Sequence, residues 1–550
     1  MWVRGSSRLL GLLLFAASCA AGEGCTLLVD SSAEQCSTNG DCTSKGGAFA
    51  GSVCGPEHTC VIRCTTNKAC MAQRGGQPAI CVGATGACAP LLSPDCKTIF
   101  QEDSTVLEND RAVVLGVLLP QTGENAASMK PRVNAIELAR RHIHTAAGGL
   151  PSGDGASRPL VILSCTDADD PVRAARHLAE VVHVPAIIGP AFSGVTTTVA
   201  RDVTIPRGVL VISPSATSPT ITHLDDKGLV WRTAPSDVIQ AAAMVQLVAT
   251  RLEPEVRTAL ALKETDKIKL ALVHKGDAYG VGLAAALFRD LRFNGGATAA
   301  ANDPAYYKEL GYVDPLKTTP AEQAASYKKT VDDLVAFAPH VLITIGTAEA
   351  VNEVFAKAEA SWPAAASYRP RHLVADGLQV PELIEKIGTN DGLRKRVLGT
   401  IAGVPGANYD SFANDYKVVF GTDTQPDSYA AGAYDATLLV AYAIAAAGNQ
   451  PLTGALVDAG LKKSVPGPRA VPINAGHNDI NAGFSAMGKD GIDYNGASGP
   501  LDFDVTTGEA PADIQIWCVR SSGGKATAFV SSGLIFAAKS KALEGTFSCP

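Results

Sequence analysis

Charge is scarce in this chain of 550 residues: 18% are Asp, Glu, Lys or Arg, and the balance is acidic, at −7 with a pI near 5.8. A basic face of the kind that tracks phosphates is therefore missing, and nucleic acid is not an expected partner. Disorder is excluded too, because 46% hydrophobic residues is ample for packed cores. Long apolar runs are few. The run at 9–17 is too short to span a bilayer, and no later stretch reads as a span. Signatures of catalysis are also missing: there is no P-loop, no G-x-S-x-G elbow and no H-E-x-x-H helix. The ten histidines make no cluster at ligand spacing; His142 and His144 fall on different faces of a helix and read as surface residues. The acids Asp167, Asp169 and Asp170 stand beside no nucleophile. The expectation is a protein that is not an enzyme and holds neither metal nor cofactor.

What the chain does have begins at its N-terminus. In MWVRGSSRLLGLLLFAAS, residues 1–18, Arg4 and Arg8 precede the apolar run and small residues follow it, the layout of an export signal. Ala16, Ala17 and Ser18 lead to Cys19 in the manner of a bacterial lipobox, with Ala16 where Leu is usual. Lipidation of Cys19 is expected, with ordinary cleavage near Ala21 as the alternative. Membrane attachment would then be by lipid anchor.

Ten of the fourteen cysteines crowd into 25–96 among Gly, Ser and Thr. Cys36, Cys42, Cys54 and Cys60 are spaced x5, x11, x5, and Cys64, Cys70, Cys81 and Cys88 x5, x10, x6. Two related units, each too poor in apolar residues to build a core, imply small modules stapled by disulfides. Cys25 and Cys96 are placed to close the outside, giving five disulfides within a module at 19–96. The close C-x2-C pairs of zinc ribbons are missing. Residues 97–111, KTIFQEDSTVLENDR, read as a linker. Cys518 and Cys549 read as a pair tying down the tail, and Cys165 as a buried free thiol.

From 112 onward, short apolar runs alternate with segments of helical periodicity, the pattern of parallel strands joined by helices. The stretch 186–220 contains two such units in succession. The strand ending at Gly189 runs into GPAFSG, where Ser193 is placed to cap a helix; the strand ending at Ser213 runs into SPSATSP. Two helix starts side by side offer free N–H groups and positive dipole ends, which suit a carboxylate.

Eight segments then occur in a familiar order: LGVLLPQTG (115–123), CTDADDP (165–171), IIGPAFSG (187–194), ISPSATSP (212–219), WRTAPSD (231–237), DAYGVG (277–282), AYDA (433–436) and YNGASGPLDFD (494–504). Together they resemble the type I periplasmic binding proteins, in the branch of the leucine/isoleucine/valine-binding receptors of ABC importers. The resemblance implies an α/β, two-lobed fold in which each lobe is a doubly wound parallel-sheet domain, with three interlobe crossings. Lobe one would take about 112–237 and 408–508, and lobe two about 238–407 and 509–550. It implies a ligand between the lobes, its carboxylate held by Ser193 with Gly194 and by Ser215, Ala216 and Thr217. Asp376 in VADG would meet an ammonium group, and Tyr279 would cover the ligand. One departure is at Ala127 and Ser128, where branched-chain binders usually place an aromatic followed by Gly. The expected function is a lipid-anchored receptor of the bacterial cell envelope, facing the periplasm or exterior, that delivers an amino acid or other small carboxylate to an ABC permease. A ligand sensor on the same fold is the alternative, and a surface lipoprotein with a vestigial cleft a third reading.

Overall fold

The computed structural model describes residues 34–403, 405–422 and 426–550. The export signal, Cys19 and Cys25 lie outside the described residues.

Two twisted sheets carry the chain from residue 96 onward, because its apolar runs are short and rich in Val, Ile and Leu and are buried on both faces. The first sheet runs in the order Val230–Arg232, Leu210–Ser213, Ala186–Ile188, Val113–Leu118, Leu160–Cys165, Cys96–Phe100. Its first five strands are parallel and the last is antiparallel. The second runs Tyr307–Tyr312, Leu270–Lys275, Val341–Ile345, Arg371–Val374, Val397–Ala402, Ile514–Ser522, Lys525–Ala537, Ala542–Gly545. Five parallel strands are followed there by three antiparallel ones at the C-terminal end. Each sheet has its own core, and the chain passes between them after Arg232, after Ala402 and before Ile514.

The helix Ser428–Ala446 fills the middle of lobe one. It is long and apolar enough to cross a membrane, contrary to the sequence reading that no later segment is, yet it is almost wholly buried against lobe-one helices. Its alanines let neighbouring helices approach closely. Inside it, Asp435 accepts hydrogen bonds from the Tyr494 hydroxyl at 2.9 Å and from the N–H groups of Ala497 at 2.8 Å and Ser498 at 2.7 Å. The AYDA and YNGASGP segments therefore meet.

Residues 34–63 form a unit of their own, a helix Asn39–Thr43 beside the hairpin of Ser52–Cys54 and Cys60–Ile62, closed by Cys36–Cys54 and Cys42–Cys60. The second repeat has the same plan, with helix Asn67–Gln73, strands Ala79–Val82 and Ala87–Pro90, and disulfides Cys64–Cys81 and Cys70–Cys88. Both repeats thus pair first with third and second with fourth.

Beyond it the expectations need correcting. Cys96 does not close the module: it bonds to Cys165, which is therefore not a free thiol. Residues 97–111, read as a linker, hold the edge strand Cys96–Phe100 and a short helical turn Ser104–Glu108 whose Leu107 is buried in the lobe-one core. The second repeat packs on lobe one through Met71, Ile80 and Leu91, and Asp95 receives both Arg173 donors at 2.7 and 2.8 Å. The stretch 303–323 contributes the edge strand Tyr307–Tyr312 and the start of helix Pro320–Phe337, and the expected pair Cys518–Cys549 is present.

Candidate functional site

Lobe one contributes two loops. Gly189 ends the strand Ala186–Ile188 with φ of 111°, and a Cβ there would lie 2.2 Å from the Leu118 carbonyl oxygen, so only glycine lets the chain turn at this point. The turn leads to Ala191, Phe192 and Ser193. Ser193 is not the helix cap; Phe192 is, and Ser193 is the first helical residue. Its Oγ instead accepts the backbone N–H groups of Thr217 and Ser218, both at 3.1 Å, and so stitches the second loop to the first. The remaining hydroxyl proton of Ser193 is left to donate.

This arrangement corrects the expectation of free N–H groups on the second loop. The Ala216 N–H donates to Ser213 Oγ at 3.0 Å and that of Thr217 is held by Ser193. Ser215 is also occupied: it donates to the Ala191 carbonyl at 3.0 Å and accepts from Arg132 at 2.8 Å. Ser193, Ser215 and Thr217 line the cavity; the side-chain positions of Gly194 and Ala216 do not.

Lobe two brings Tyr279, in the first turn of helix Ala278–Asp290, and Asp376, at the end of strand Arg371–Val374. Asp376 caps no helix. Its Oδ1 accepts the Tyr279 hydroxyl and its Oδ2 the Tyr429 hydroxyl, each at 2.7 Å. Burial, with the adjoining Asp376 carboxylate, pushes both phenols well above their ordinary pKa, so both remain donors.

Three participants were not singled out in the sequence. Tyr429 opens the long buried helix, 150 positions from Tyr279. Arg132, buried within helix Ala126–Ala147, lies 5.0 Å from the Tyr429 ring and 3.3 Å from Asp427. Asp237 is fully buried behind Thr217, and neither of its carboxylate oxygens has a partner of hydrogen-bond geometry. Burial and the facing charge of Asp376 hold its pKa well above the usual carboxylate range. Of these, WRTAPSD marked the segment of Asp237, and nothing local marked Arg132 or Tyr429.

The lobes close over a cavity of about 40 Å³ lined by Ser193, Thr217, Tyr279, Asp376, Tyr429 and Arg132, among others. A wider space of about 1100 Å³ adjoins it through Ser128, Gln379 and Asp427 on the side of the crossings. Ala127 borders this wider space, and Ser128 turns its hydroxyl to the Asn125 carbonyl at 2.9 Å. The place of the missing aromatic is thus open.

Two α/β lobes, three crossings and a polar cavity between them define the type I periplasmic binding protein fold. Residues 112–360 match the family model described as periplasmic binding protein. A chemotactic signal transduction system substrate-binding protein, BasB, of Halobacterium salinarum is 32% identical over 34% of this chain and 44% of its own. The Leu/Ile/Val-binding protein BraC3 of Rhizobium johnstonii is 31% identical over 35% of this chain and 47% of its own. The chain thus spans under half the length of these curated relatives. Among solved structures, the branched-chain amino acid transporter substrate binding protein LivJ from Streptococcus pneumoniae, in complex with isoleucine, superposes with a TM-score of 0.53 at 17% identity. It covers 76% of this chain and 99% of its own, a likeness of fold.

Proposed function

We propose that this chain is an exported, lipid-anchored solute-binding protein that takes an amino acid between its lobes and hands it to an ABC importer. The charge balance of the cavity carries the reading. Asp376 and Asp427 line the cavity beside one guanidinium, that of Arg132, which is already hydrogen-bonded to Ser215 and paired with Asp427, while Asp237 lies buried nearby in the field of Arg232. A buried acid without a counter-charge is costly, and an α-ammonium group beside Asp376 would offset that cost for both Asp237 and Asp376. Each Asp376 oxygen uses one lone pair on a tyrosine and keeps another for such a donor. The ligand carboxylate would take the hydroxyls of Ser193 and Thr217 and the first-turn N–H groups of the helix from Ser193, with Gly194 among them.

A thermal-shift screen of amino acids tests this directly, since a ligand at 100 times its Kd adds about 2.7 kcal/mol to stability. Ser193→Ala should then weaken the binding found by about 1.5–3 kcal/mol in calorimetric titration, by removing a hydrogen bond to a charged group. An unchanged affinity would put the ligand elsewhere.

Anchoring has its own test. Wild type should partition with membranes and Cys19→Ser should be released; a soluble exported wild type would rule out the lipid. Sensing is the second reading, favoured by the resemblance to the chemotactic binding protein. Neighbouring permease and ATPase reading frames would support import, and a neighbouring transducer would support sensing.

A further inference from the structure

On helix Ala126–Ala147, ten residues past Arg132 and so about 15 Å farther from the cleft, His142 meets two residues that no sequence spacing connects to it. Asp415 comes from helix Ala407–Phe420, and His477 from the turn between strand Val471–Asn474 and helix Ile480–Met487. One donor atom of each lies within 4.8 Å of the other two. His142 Nε2 is 3.7 Å from Asp415 Oδ2, and His477 Nδ1 is 3.8 Å from the same oxygen. Ligands about 2.0–2.1 Å from one zinc ion lie roughly 3.3–3.6 Å apart when their bond angles are near 110–120°. Both nitrogen–oxygen separations therefore exceed this spacing by only a few tenths of an ångström, and the two nitrogens lie within 4.8 Å of each other.

The surroundings are those of a prepared ligand set. His142 is no surface residue: it is largely buried, and its Nδ1 is 2.7 Å from the Tyr434 hydroxyl, which fixes the ring and leaves Nε2 toward Asp415. A ring nitrogen held from behind in this way is the usual support of a metal-bound histidine. The His477 ring meets that of His142 edge to face at 5.4 Å, and His477 is exposed, so an ion can enter and keep water in a fourth position. Two imidazoles and one carboxylate suit zinc and similar borderline ions. Calcium and magnesium prefer all-oxygen sets, and copper(I) prefers sulfur.

We propose that His142, Asp415 and His477 bind a divalent transition ion, zinc in the first instance. The ion would join the first helix of lobe one to the helix that begins just after the chain returns from lobe two.

The full chain, stripped with EDTA and desalted, is titrated with zinc by calorimetry and with cobalt(II) by visible absorption. Wild type should bind one equivalent at this site and show the d–d bands of a low-coordinate cobalt ion. His477→Ala removes an exposed side chain and Asp415→Asn a half-exposed charge, so both should keep the metal-free melting temperature of wild type. Each should weaken zinc at least tenfold and abolish the cobalt bands. Absence of saturable binding in wild type would overturn the proposal. So would an equivalent of zinc held by either variant with less than a tenfold loss.

Discussion

Asp376→Asn should cost an amino-acid ligand about 3 kcal/mol or more, a loss in excess of 100-fold, because a buried ammonium group loses its counter-charge. The unliganded protein should tolerate the change. An amide can still accept from Tyr279 or Tyr429, and it relieves the repulsion that raises the pKa of the facing Asp237. The two effects separate binding from folding: affinity collapses in calorimetric titration while the melting temperature holds or rises. A ligand without an ammonium group reverses the first effect, since removing a negative charge from the cavity helps a plain carboxylate. Equal affinity in wild type and variant for every ligand found would leave Asp376 with no part in binding.

Asp167 should make the protein progressively less stable as pH rises from about 4 to about 7. It follows the strand Leu160–Cys165, is buried, and has no hydrogen-bond partner on either oxygen. Burial lifts its pKa from 3.8 to about 7. The raised folded-state value means that the unfolded chain ionises first. Below pH 4 both states are protonated and nothing is lost; above pH 7 the full difference, on the order of 4 kcal/mol, opposes folding. Asp167→Asn removes the titration and should flatten this part of the profile, leaving the variant the more stable above neutrality. Urea unfolding of both proteins at pH 5 and pH 8 measures the difference. Parallel behaviour of the two would show that Asp167 ionises freely in the folded state.

The alternation of strands and helices was legible because a parallel strand buried on both faces must be apolar along nearly all its length, as in Val113–Leu118 and Ala186–Ile188. Edge strands carry no such mark. Cys96–Phe100 exposes Lys97 and Thr98, and five residues with a half-covered face give no period to read. The hydroxyl-rich loops announced a polar cavity, and Ser193, Thr217, Tyr279 and Asp376 all line it. Which hydroxyls would be consumed by the protein itself was not legible. The bonds of Ser215 to Ala191 and Arg132 depend on how two loops and a helix pack, 24 and 83 positions apart in the chain. The partner of Cys96 was hidden for a related reason. Repetition within 36–88 marked two stapled units without giving their pairing, and Cys165 lies in the opposite strand of a sheet that exists only after folding.

The Tyr429 hydroxyl that ends on Asp376 joins the two halves of the cleft, since Tyr429 belongs to the central helix of lobe one and Asp376 to the sheet of lobe two. Opening the cleft must break this bond whether or not a solute is inside. Under the proposed function, this bond favours closure before any solute arrives, and the affinity measured for a solute would contain the closed fraction as a factor. Selectivity can accordingly be set in the cavity while sensitivity is set at the latch.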